Sequence, residues 1–277
     1  MRHWSTRLLG LWLVLLLCGC AVSPYAKEPK QRSDALLETQ IREAGARLAP
    51  GQPPRVIFAG FAMHSESNAF RGDVLLAEKV MRGIDPQAVV FKLSNPAFGQ
   101  EADLPFATRE NVAAVLQAIG AQARPQDKVV VLLTTHGHVN LLEVYAANTR
   151  LGVVGPAELR EWLAPLRGQP TLLMVSACYS GSFLPTLRGP SRIVLTAAAD
   201  DRPSFGCQFH SRNTFFIEEL LGQPGLAAQS LSDWVPQAYR AIEQRELALK
   251  LAPSQPQAFF GADVQAWARQ PIAQWLN

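Results

Sequence analysis

Two short segments of the chain place a histidine and a cysteine where nucleophilic chemistry could occur. His136 lies in the segment 134–138 (Thr-Thr-His-Gly-His), and Cys178 lies in the segment 175–181 (Val-Ser-Ala-Cys-Tyr-Ser-Gly). A thiol with a pKa of about 8.5 is mostly unreactive at neutral pH, and a neighbouring imidazole converts it into a usable nucleophile. If the fold brings the two residues together, we expect Cys178 to act as a nucleophile and His136 as its general base and acid.

Each segment follows an apolar run that predicts a buried strand, 128–135 before the histidine and 171–176 before the cysteine. Open α/β sheets bind ligands beyond the carboxyl ends of their strands, so neighbouring strand ends would bring the two side chains within reach. Backbone N–H groups near Gly137 and Cys178 could then form an oxyanion hole. Gly137 would also let the chain turn sharply behind the histidine.

Both residues also have a purely structural interpretation, because a cysteine is commonly a small core residue and a histidine can cap a strand end. His138 is a second candidate base, whereas His64 and His210 stand in no comparable setting. A zinc site at His136 and His138 is not supported, because no third ligand stands at a conventional spacing. No glycine-rich phosphate loop occurs either. We therefore predict a site without metal or cofactor.

Predicted strands and helices alternate along the chain, which is typical of an α/β sheet with helices on both sides. Apolar runs predict strands at 55–62, 88–93, 128–135, 171–176 and 192–198, and a last short strand at 257–261. Helical periodicity predicts helices at 34–48, 73–81, 108–123, 156–166, 213–222 and 231–251. The sequence thus predicts one α/β domain with a mostly parallel sheet flanked by helices.

The composition excludes several classes of protein. Of 277 residues, 48% are hydrophobic and 18% are charged, so the chain is neither intrinsically disordered nor a collagen-like repeat. A formal net charge of +3, without a long run of like charges, gives no reason to expect a nucleic-acid partner. The four cysteines, at positions 18, 20, 178 and 207, do not make a disulfide framework.

The first residues are basic and lead into an apolar run at 8–17. This run is about ten residues long, whereas a membrane-spanning helix needs roughly 20, so we interpret it as a secretory signal. An uncleaved membrane anchor is the alternative. The segment 17–20 (Leu-Cys-Gly-Cys) resembles the lipobox of bacterial lipoproteins, which implies cleavage after Gly19 and a lipid on Cys20.

The lipobox resemblance divides the chain into a signal peptide (1–19), a lipidated cysteine with a polar tether (20–54) and a folded domain (55–277). Acylated Cys20 would hold the protein on a lipid bilayer without a spanning helix. Ala21 follows the acceptor, where an Asp would favour retention in the inner membrane. The resemblance therefore implies the outer membrane, facing the periplasm.

Three blocks of the chain together resemble the legumain-like cysteine peptidases, specifically their bacterial members, within the caspase-fold clan. They are the strand that ends in His-Gly, the block 176–181 (Ser-Ala-Cys-Tyr-Ser-Gly) and the block 196–207 (Thr-Ala-Ala-Ala-Asp-Asp-Arg-Pro-Ser-Phe-Gly-Cys). The resemblance covers 55–261. It implies a caspase-like three-layer sandwich and a dyad of Cys178 and His136, with the backbone amides of Cys178 and the glycine after His136 holding the oxyanion.

The same resemblance implies a specificity pocket that includes Ser204, with Arg71 as a pocket arginine. Arg71 could equally be a solvated charge at a helix start. Ser176, two residues before the nucleophile, is a third candidate for substrate binding, but legumains carry acids near the nucleophile and this chain does not. A preference for Asn or Asp therefore does not follow. Cys207 is open to three interpretations: a structural residue, a pocket lining, or a disulfide partner of Cys178 in the oxidising periplasm.

These observations predict a lipid-anchored cysteine endopeptidase that acts on peptide or protein substrates through an acyl-enzyme. Attack by an amine instead of water would make the same dyad a transamidase. A catalytically idle lipoprotein scaffold of the same fold is the alternative from another functional class.

Overall fold

The computed structural model describes residues 27–276, so the predicted signal peptide and Cys20 lie outside the described residues. The strands are β1 Val56–Ala62, β2 Val89–Ser94, β3 Lys128–Thr134, β4 Gly137–His138, β5 Leu141–Ala146, β6 Thr149–Val154, β7 Thr171–Ser176, β8 Arg192–Thr196 and β9 Gln257–Phe260. The α-helices are α1 Lys27–Arg47, α2 Asn68–Ile84, α3 Arg109–Gln122, α4 Pro156–Trp162, α5 Leu184–Leu187, α6 Phe215–Leu221, α7 Leu231–Ala248 and α8 Gln265–Arg269.

The main sheet has the strand order β2-β1-β3-β7-β8-β9. Its first five strands are parallel, and β9 pairs with β8 in the antiparallel direction. The central strands end in register, with Ala62 opposite Thr134 and Thr134 opposite Ser176. The carboxyl ends of β1, β3 and β7 therefore lie side by side at one end of the sheet, which we call the carboxyl edge.

Both faces of the sheet are covered, which makes the domain a three-layer sandwich. Helices α1, α3, α4 and α5 pack on one face, and α2, α6, α7 and α8 pack on the other. Successive residues of β1 alternate between the two cores, with Ile57 and Phe61 in the first and Val56 and Phe58 in the second. This double burial explains why the central strands are continuously apolar, and the predicted fold class is confirmed.

Helix α1 differs from the prediction. It begins at Lys27, whereas the sequence predicted a tether leading into a helix at 34–48. Leu37 and Ala44 are buried in the core, and the amide of Gln40 bonds in both directions with the backbone of Lys92 in β2. Much of the predicted tether is therefore a folded part of the domain. The mean polarity of α1 hid this, because only a narrow stripe of it faces the sheet.

A second, three-stranded antiparallel sheet, β4-β5-β6, was not predicted. It follows the candidate histidine directly. Strands β5 and β6 are joined by Ala147 and Asn148, whose φ angles of 47° and 62° are those of a two-residue type I′ turn. The alternation of buried Leu142 and Val144 with less buried neighbours was the available signal. No helix in the described part of the chain is long and apolar enough to cross a membrane.

Candidate active site

Two candidate side chains and one further histidine follow the same row of the sheet. His64, His136 and Cys178 each lie two residues beyond the row formed by Ala62, Thr134 and Ser176. Strand β3 lies between β1 and β7, so the segment that carries His136 lies between those that carry His64 and Cys178.

The backbone of Cys178 lies against the residue that follows His136. A Cβ atom on Gly137 would lie only 2.7 Å from the carbonyl oxygen of Cys178 and 3.1 Å from Cβ of Ala177. Glycine is therefore required at position 137 for this close approach, not for a positive φ angle as the predicted sharp turn would suggest. The predicted neighbourhood of the two strand ends is confirmed, and both residues of the candidate oxyanion hole lie within it.

The Cys178 side chain is half-buried and contacts the segment that carries Ser204. The Ser204 backbone N–H points at the Cys178 sulfur over 3.3 Å, and the Ser204 hydroxyl lies 3.7 Å from the same sulfur. Tyr179, directly after the cysteine, has a φ of 58°, and its N–H donates to the Arg202 carbonyl over 2.8 Å. A left-handed non-glycine residue is uncommon and costs conformational energy, and such residues cluster at functional sites.

The imidazole of His136 is half-buried between two other rings. It meets Phe70 and His64 edge to face, with ring centroids 4.9 Å and 4.5 Å away. Its backbone carbonyl accepts a hydrogen bond from the Glu143 N–H over 3.0 Å. Burial lowers the pKa of His136, and the carboxylates of Glu143 and Glu66 oppose that shift. These surroundings favour a neutral imidazole, which is the form that accepts a proton.

His64 lies at the candidate site, where the sequence did not predict it. It is buried, stacks on Tyr145 with centroids 4.7 Å apart, and its Nε2 lies 3.4 Å from Oε2 of Glu143. Its Nδ1 accepts the Glu66 N–H over 3.3 Å. Burial and the neighbouring His136 lower the pKa of His64 to about 4, so it is neutral. In the structure its offset from the strand end is the same as that of His136, because β3 ends at Thr134, one residue earlier than predicted.

The second candidate base, His138, is exposed and lies farther from this cluster. Its Nε2 is 3.9 Å from Oε1 of Glu143, and its ring stacks loosely on Tyr179 at 6.3 Å. His136, not His138, contacts the buried rings of the site.

Ser176 cannot contact a substrate in the way that the sequence predicted. It is 1% exposed, and its hydroxyl lies 3.0 Å from the Thr214 hydroxyl and 3.5 Å from a carboxylate oxygen of Asp73. Its partner Asp73 is fully buried and accepts hydrogen bonds from the Thr134 hydroxyl over 2.8 Å and from the Thr214 backbone N–H over 2.9 Å. The correction follows from strand alternation, because a side chain on β7 that points into the α2 layer is covered by that layer.

Asp73 was not predicted as a site residue, yet it connects the strand ends beneath the site. Thr134 and Ser176 lie two residues before His136 and Cys178, and both contact Asp73. Burial raises the pKa of Asp73 to about 7, although four hydrogen-bond donors oppose this shift. An acid inside an apolar helical stretch was the only signal in the sequence.

Arg71 lies on α2 at the same end of the sheet, beside His64 in a small polar cavity. Its guanidinium forms two hydrogen bonds with Asp103, of 2.8 Å and 2.6 Å, and the two side chains are 41% and 63% exposed. The carboxylate of Asp103 offsets part of the positive charge of Arg71. The role of Arg71 in binding substrate stays a prediction.

Cys178 and Cys207 are both free thiols. Burial, followed by the neighbouring Cys178, raises the pKa of the Cys207 thiol. The Cys207 side chain packs against the core on the α2 side of the sheet, which fits the interpretation of a structural residue. Within residues 27–276, no group of three or more His, Cys, Asp or Glu could hold a metal ion.

Comparison with known proteins agrees with this fold. The crystal structure of Caspase-1 from Spodoptera frugiperda matches with a TM-score of 0.52 and 14% sequence identity, covering 77% of this chain and 90% of that chain. At this identity the match shows a shared caspase fold and nothing finer. No curated protein matches the chain.

A family model described as the Peptidase C13 family matches residues 107–246, which is half of the chain. The matched region contains His136, Cys178 and Ser204, and Arg71 lies outside it. The resemblance to legumain-like peptidases found in the sequence is therefore confirmed, and the chain belongs to the Peptidase C13 family of cysteine peptidases.

Proposed function

We propose that the protein is a cysteine endopeptidase in which Cys178 is the nucleophile and His136 is the general base and acid. The observation that carries the proposal is the contact between Gly137 and Cys178, which brings the two motifs together at the carboxyl edge in a chain of this family. The neutral imidazole of His136 supports its role as the base.

In this mechanism the Cys178 sulfur forms a bond to the scissile carbonyl carbon after His136 has taken its proton. The carbon–nitrogen bond then breaks, and His136 gives the proton to the leaving amine. Water attacks the thioester, His136 takes a proton from the water, and the carbon–sulfur bond breaks to free the enzyme. Backbone N–H groups of Gly137 and Cys178 would stabilise the oxyanion of each tetrahedral intermediate.

The proposal assigns the substrate-binding side of the cysteine to the segment around Ser204, which contacts the sulfur. Arg71 would contribute to the pocket after exchanging its Asp103 partner for a group of the substrate. Ser176 takes no direct part and supports the strand end through Asp73.

Incubation of the purified chain with a diverse peptide mixture under reducing conditions tests the peptidase. We expect cleavage that is lost in Cys178→Ala and kept in Cys207→Ala, because only the first thiol lies beside the His136 motif. Mass spectrometry of the products also reads out the preferred residue. Equal cleavage by the two variants would contradict the assignment of the nucleophile.

We further propose that lipid on Cys20 anchors the protein to a membrane, with the outer membrane facing the periplasm as the expected location. The proposal rests on the segment 17–20 and on Ala21. Cells fed a labelled fatty acid should incorporate it into the wild-type chain and into Cys18→Ser, and not into Cys20→Ser. Label in Cys20→Ser would contradict the proposal.

A further inference from the structure

Helix α1 runs antiparallel to β2, so its first turn lies at the carboxyl edge. Its last residue, Arg47, donates to the Ala88 carbonyl just before β2 begins. Near its start, the Ser33 hydroxyl accepts the Phe106 N–H over 2.8 Å, and Phe106 follows Pro105, whose carbonyl accepts the N–H of the last residue of β2. The chain therefore enters the domain at the end of the sheet that carries the candidate active site.

The same end of the molecule carries most of the exposed apolar side chains. Six large apolar residues are exposed in the described part of the chain, and five of them lie here: Phe98, Val139, Phe209, Leu247 and Leu249. Phe98 follows β2, Val139 follows β4, and Phe209 lies in the loop after β8. Phe98 and Phe209 are each 64% exposed.

Leu247 and Leu249 belong to this group because α7 ends at the same edge. Glu246, in the last turn of α7, accepts the Ser254 N–H over 2.8 Å, and the Ser254 carbonyl accepts the N–H of Ala199, just beyond β8. Exposed apolar groups thus lie on several loops at the end of the sheet that carries the candidate site. Exposed apolar side chains that several loops present at one end of a domain can insert into a membrane interface.

Simple lengths decide which end of the domain can face a bilayer that holds Cys20. Seven residue steps separate Cys20 from Lys27, so this segment spans at most about 25 Å. Helix α1 has 21 residues and is about 31 Å long. An anchor at Cys20 therefore reaches the carboxyl edge and cannot reach past the far end of α1.

This length argument excludes an otherwise attractive alternative. A groove at the opposite end of the sheet, beside the starts of β7 and β8, is lined by Arg160, Arg167, Arg188 and Arg192. Such a groove would suit anionic lipid headgroups. The groove lies near the far end of α1, which an anchor at Cys20 cannot reach past. This end of the domain therefore cannot be the one that rests on the bilayer.

We infer that the carboxyl edge, with Cys178 and His136, faces the lipid bilayer through its exposed apolar loops. The inference rests on the proposed lipidation and deepens the proposed peptidase function. It implies that the substrates are segments of polypeptide held close to the membrane surface, such as the juxtamembrane parts of other anchored proteins. A protein diffusing freely in the surrounding solution would reach the site less readily.

Site-specific photo-crosslinking of the lipidated full-length chain in phospholipid vesicles tests this orientation. p-Benzoylphenylalanine replaces Phe98 or Phe209 at the carboxyl edge, and Arg167 or Arg188 at the opposite end as matched exposed controls. After illumination, mass spectrometry should find lipid adducts at the first two positions and only background at the controls. Adducts confined to the control positions, or adducts at none of the four, would overturn the inference.

Two further arms separate this inference from the proposals on which it builds. Lipid labelling in a Cys178→Ala background should be unchanged, because orientation does not require catalysis. Lipid labelling of a wild-type protein that cleaves no peptide would contradict the proposed peptidase activity and leave the orientation standing. An N-terminal peptide without acyl groups would overturn both the lipidation and the orientation.

The substrate class has its own readout. A peptide that the enzyme cleaves is attached to vesicles by a lipid and compared with the same peptide free in solution. Wild-type enzyme on vesicles should cleave the attached peptide several-fold faster, and Cys20→Ser should lose this advantage. Equal rates for the two peptides would contradict the membrane-proximal substrate class.

Discussion

Two buried aspartates at opposite ends of the same sheet serve different purposes. At the end where the parallel strands begin, which we call the amino edge, Asp127 pairs with the Arg124 guanidinium over 2.8 Å and accepts the backbone N–H of Arg55 over 2.8 Å. At the carboxyl edge, Asp73 is equally buried, and among the described residues its partners are hydroxyl and amide groups without a cation. Asp127 raises the pKa of Arg124 through a hydrogen bond. Burial raises the pKa of Asp73 to about 7.

The two aspartates differ in how the cost of burying their charge is offset. A buried carboxylate paired with an arginine is a compensated charge, and it holds the starts of the strands together. A buried carboxylate without a cation is costly, and at Asp73 only hydrogen bonds from hydroxyl and amide groups offset that cost. Asp73 contacts Thr134 and Ser176, two residues before His136 and Cys178, so we interpret it as the residue that fixes the two strand ends. Substitutions at the amino edge should therefore change stability alone, whereas substitutions at the carboxyl edge should change catalysis, or the way that catalysis or stability depends on pH.

The largest effect is expected from removing the base. His136→Ala should lower kcat/KM by about 10⁴-fold or more, because the thiol loses its proton acceptor. The matched variant His138→Ala should change it by less than about threefold, since His138 is exposed and outside the ring cluster. Urea unfolding should show both variants folded. A larger loss in His138→Ala than in His136→Ala would reverse the assignment.

At the amino edge, Asp127→Ala should lower the free energy of unfolding by about 4 kcal/mol, because Arg124 loses its counter-charge and two backbone N–H groups lose their acceptor. The folded fraction should keep its kcat, which active-site titration combined with urea unfolding would measure. A fall in kcat in the folded fraction would mean that the two edges are not separate.

Asp73 should make the free energy of unfolding fall as pH rises. Its pKa is raised from its ordinary value to about 7, so the folded state binds the proton more tightly than the unfolded state. Its contribution is complete below the unfolded pKa, near 4, and is lost as pH rises through 7. Between about pH 5 and pH 8 the loss is on the order of 3 kcal/mol.

Asp73→Asn isolates this effect. The amide oxygen can keep the Thr214 N–H, and the amide nitrogen can donate to the hydroxyls of Thr134 and Thr214, which are free to rotate. The difference in unfolding free energy between wild type and Asp73→Asn should therefore change with pH as stated. A constant difference across that range would contradict the raised pKa.

The smallest expected effect concerns the pH profile of cleavage. The Glu143 carboxylate raises the pKa of His136 against the effect of burial. Glu143→Gln should therefore move the acidic limb of kcat/KM to lower pH, by less than about one unit. Glu158→Gln, which removes a carboxylate paired with Arg109 away from the site, should leave the limb in place. A shift to higher pH would contradict the role of Glu143.

Patterns that depend on a buried two-sided sheet were predictable from the sequence. The continuous apolar runs predicted β1, β3 and β7 within one residue at either end, and the parallel register of β3 and β7 brings the segments that carry His136 and Cys178 to adjacent strand ends. The motif spacing then indicated the family, which the match over residues 107–246 confirms. Periodicity and spacing carry this information because they follow from burial itself.

The predictions that were wrong or missing concern contacts between segments that are distant in the sequence. His64 joins the site because β1 and β3 end in register, and Ser176 leaves it because α2 covers that face. The role of Asp73 requires residues from α2, β3, β7 and the start of α6 to meet at one carboxylate. Sequence patterns record which face is buried, and they do not record what the buried polar groups contact.

The central claim is that His136 activates Cys178, and thiol reactivity tests it without a known substrate. Brief treatment with iodoacetamide at about neutral pH, read by mass spectrometry, compares Cys178 with Cys207 in the same molecule. We expect Cys178 to be alkylated much faster than Cys207, whose pKa is raised by burial, and this advantage to vanish in His136→Ala and persist in His138→Ala. Alkylation of Cys178 no faster than that of Cys207, or unchanged in His136→Ala, would contradict the dyad and favour an idle scaffold.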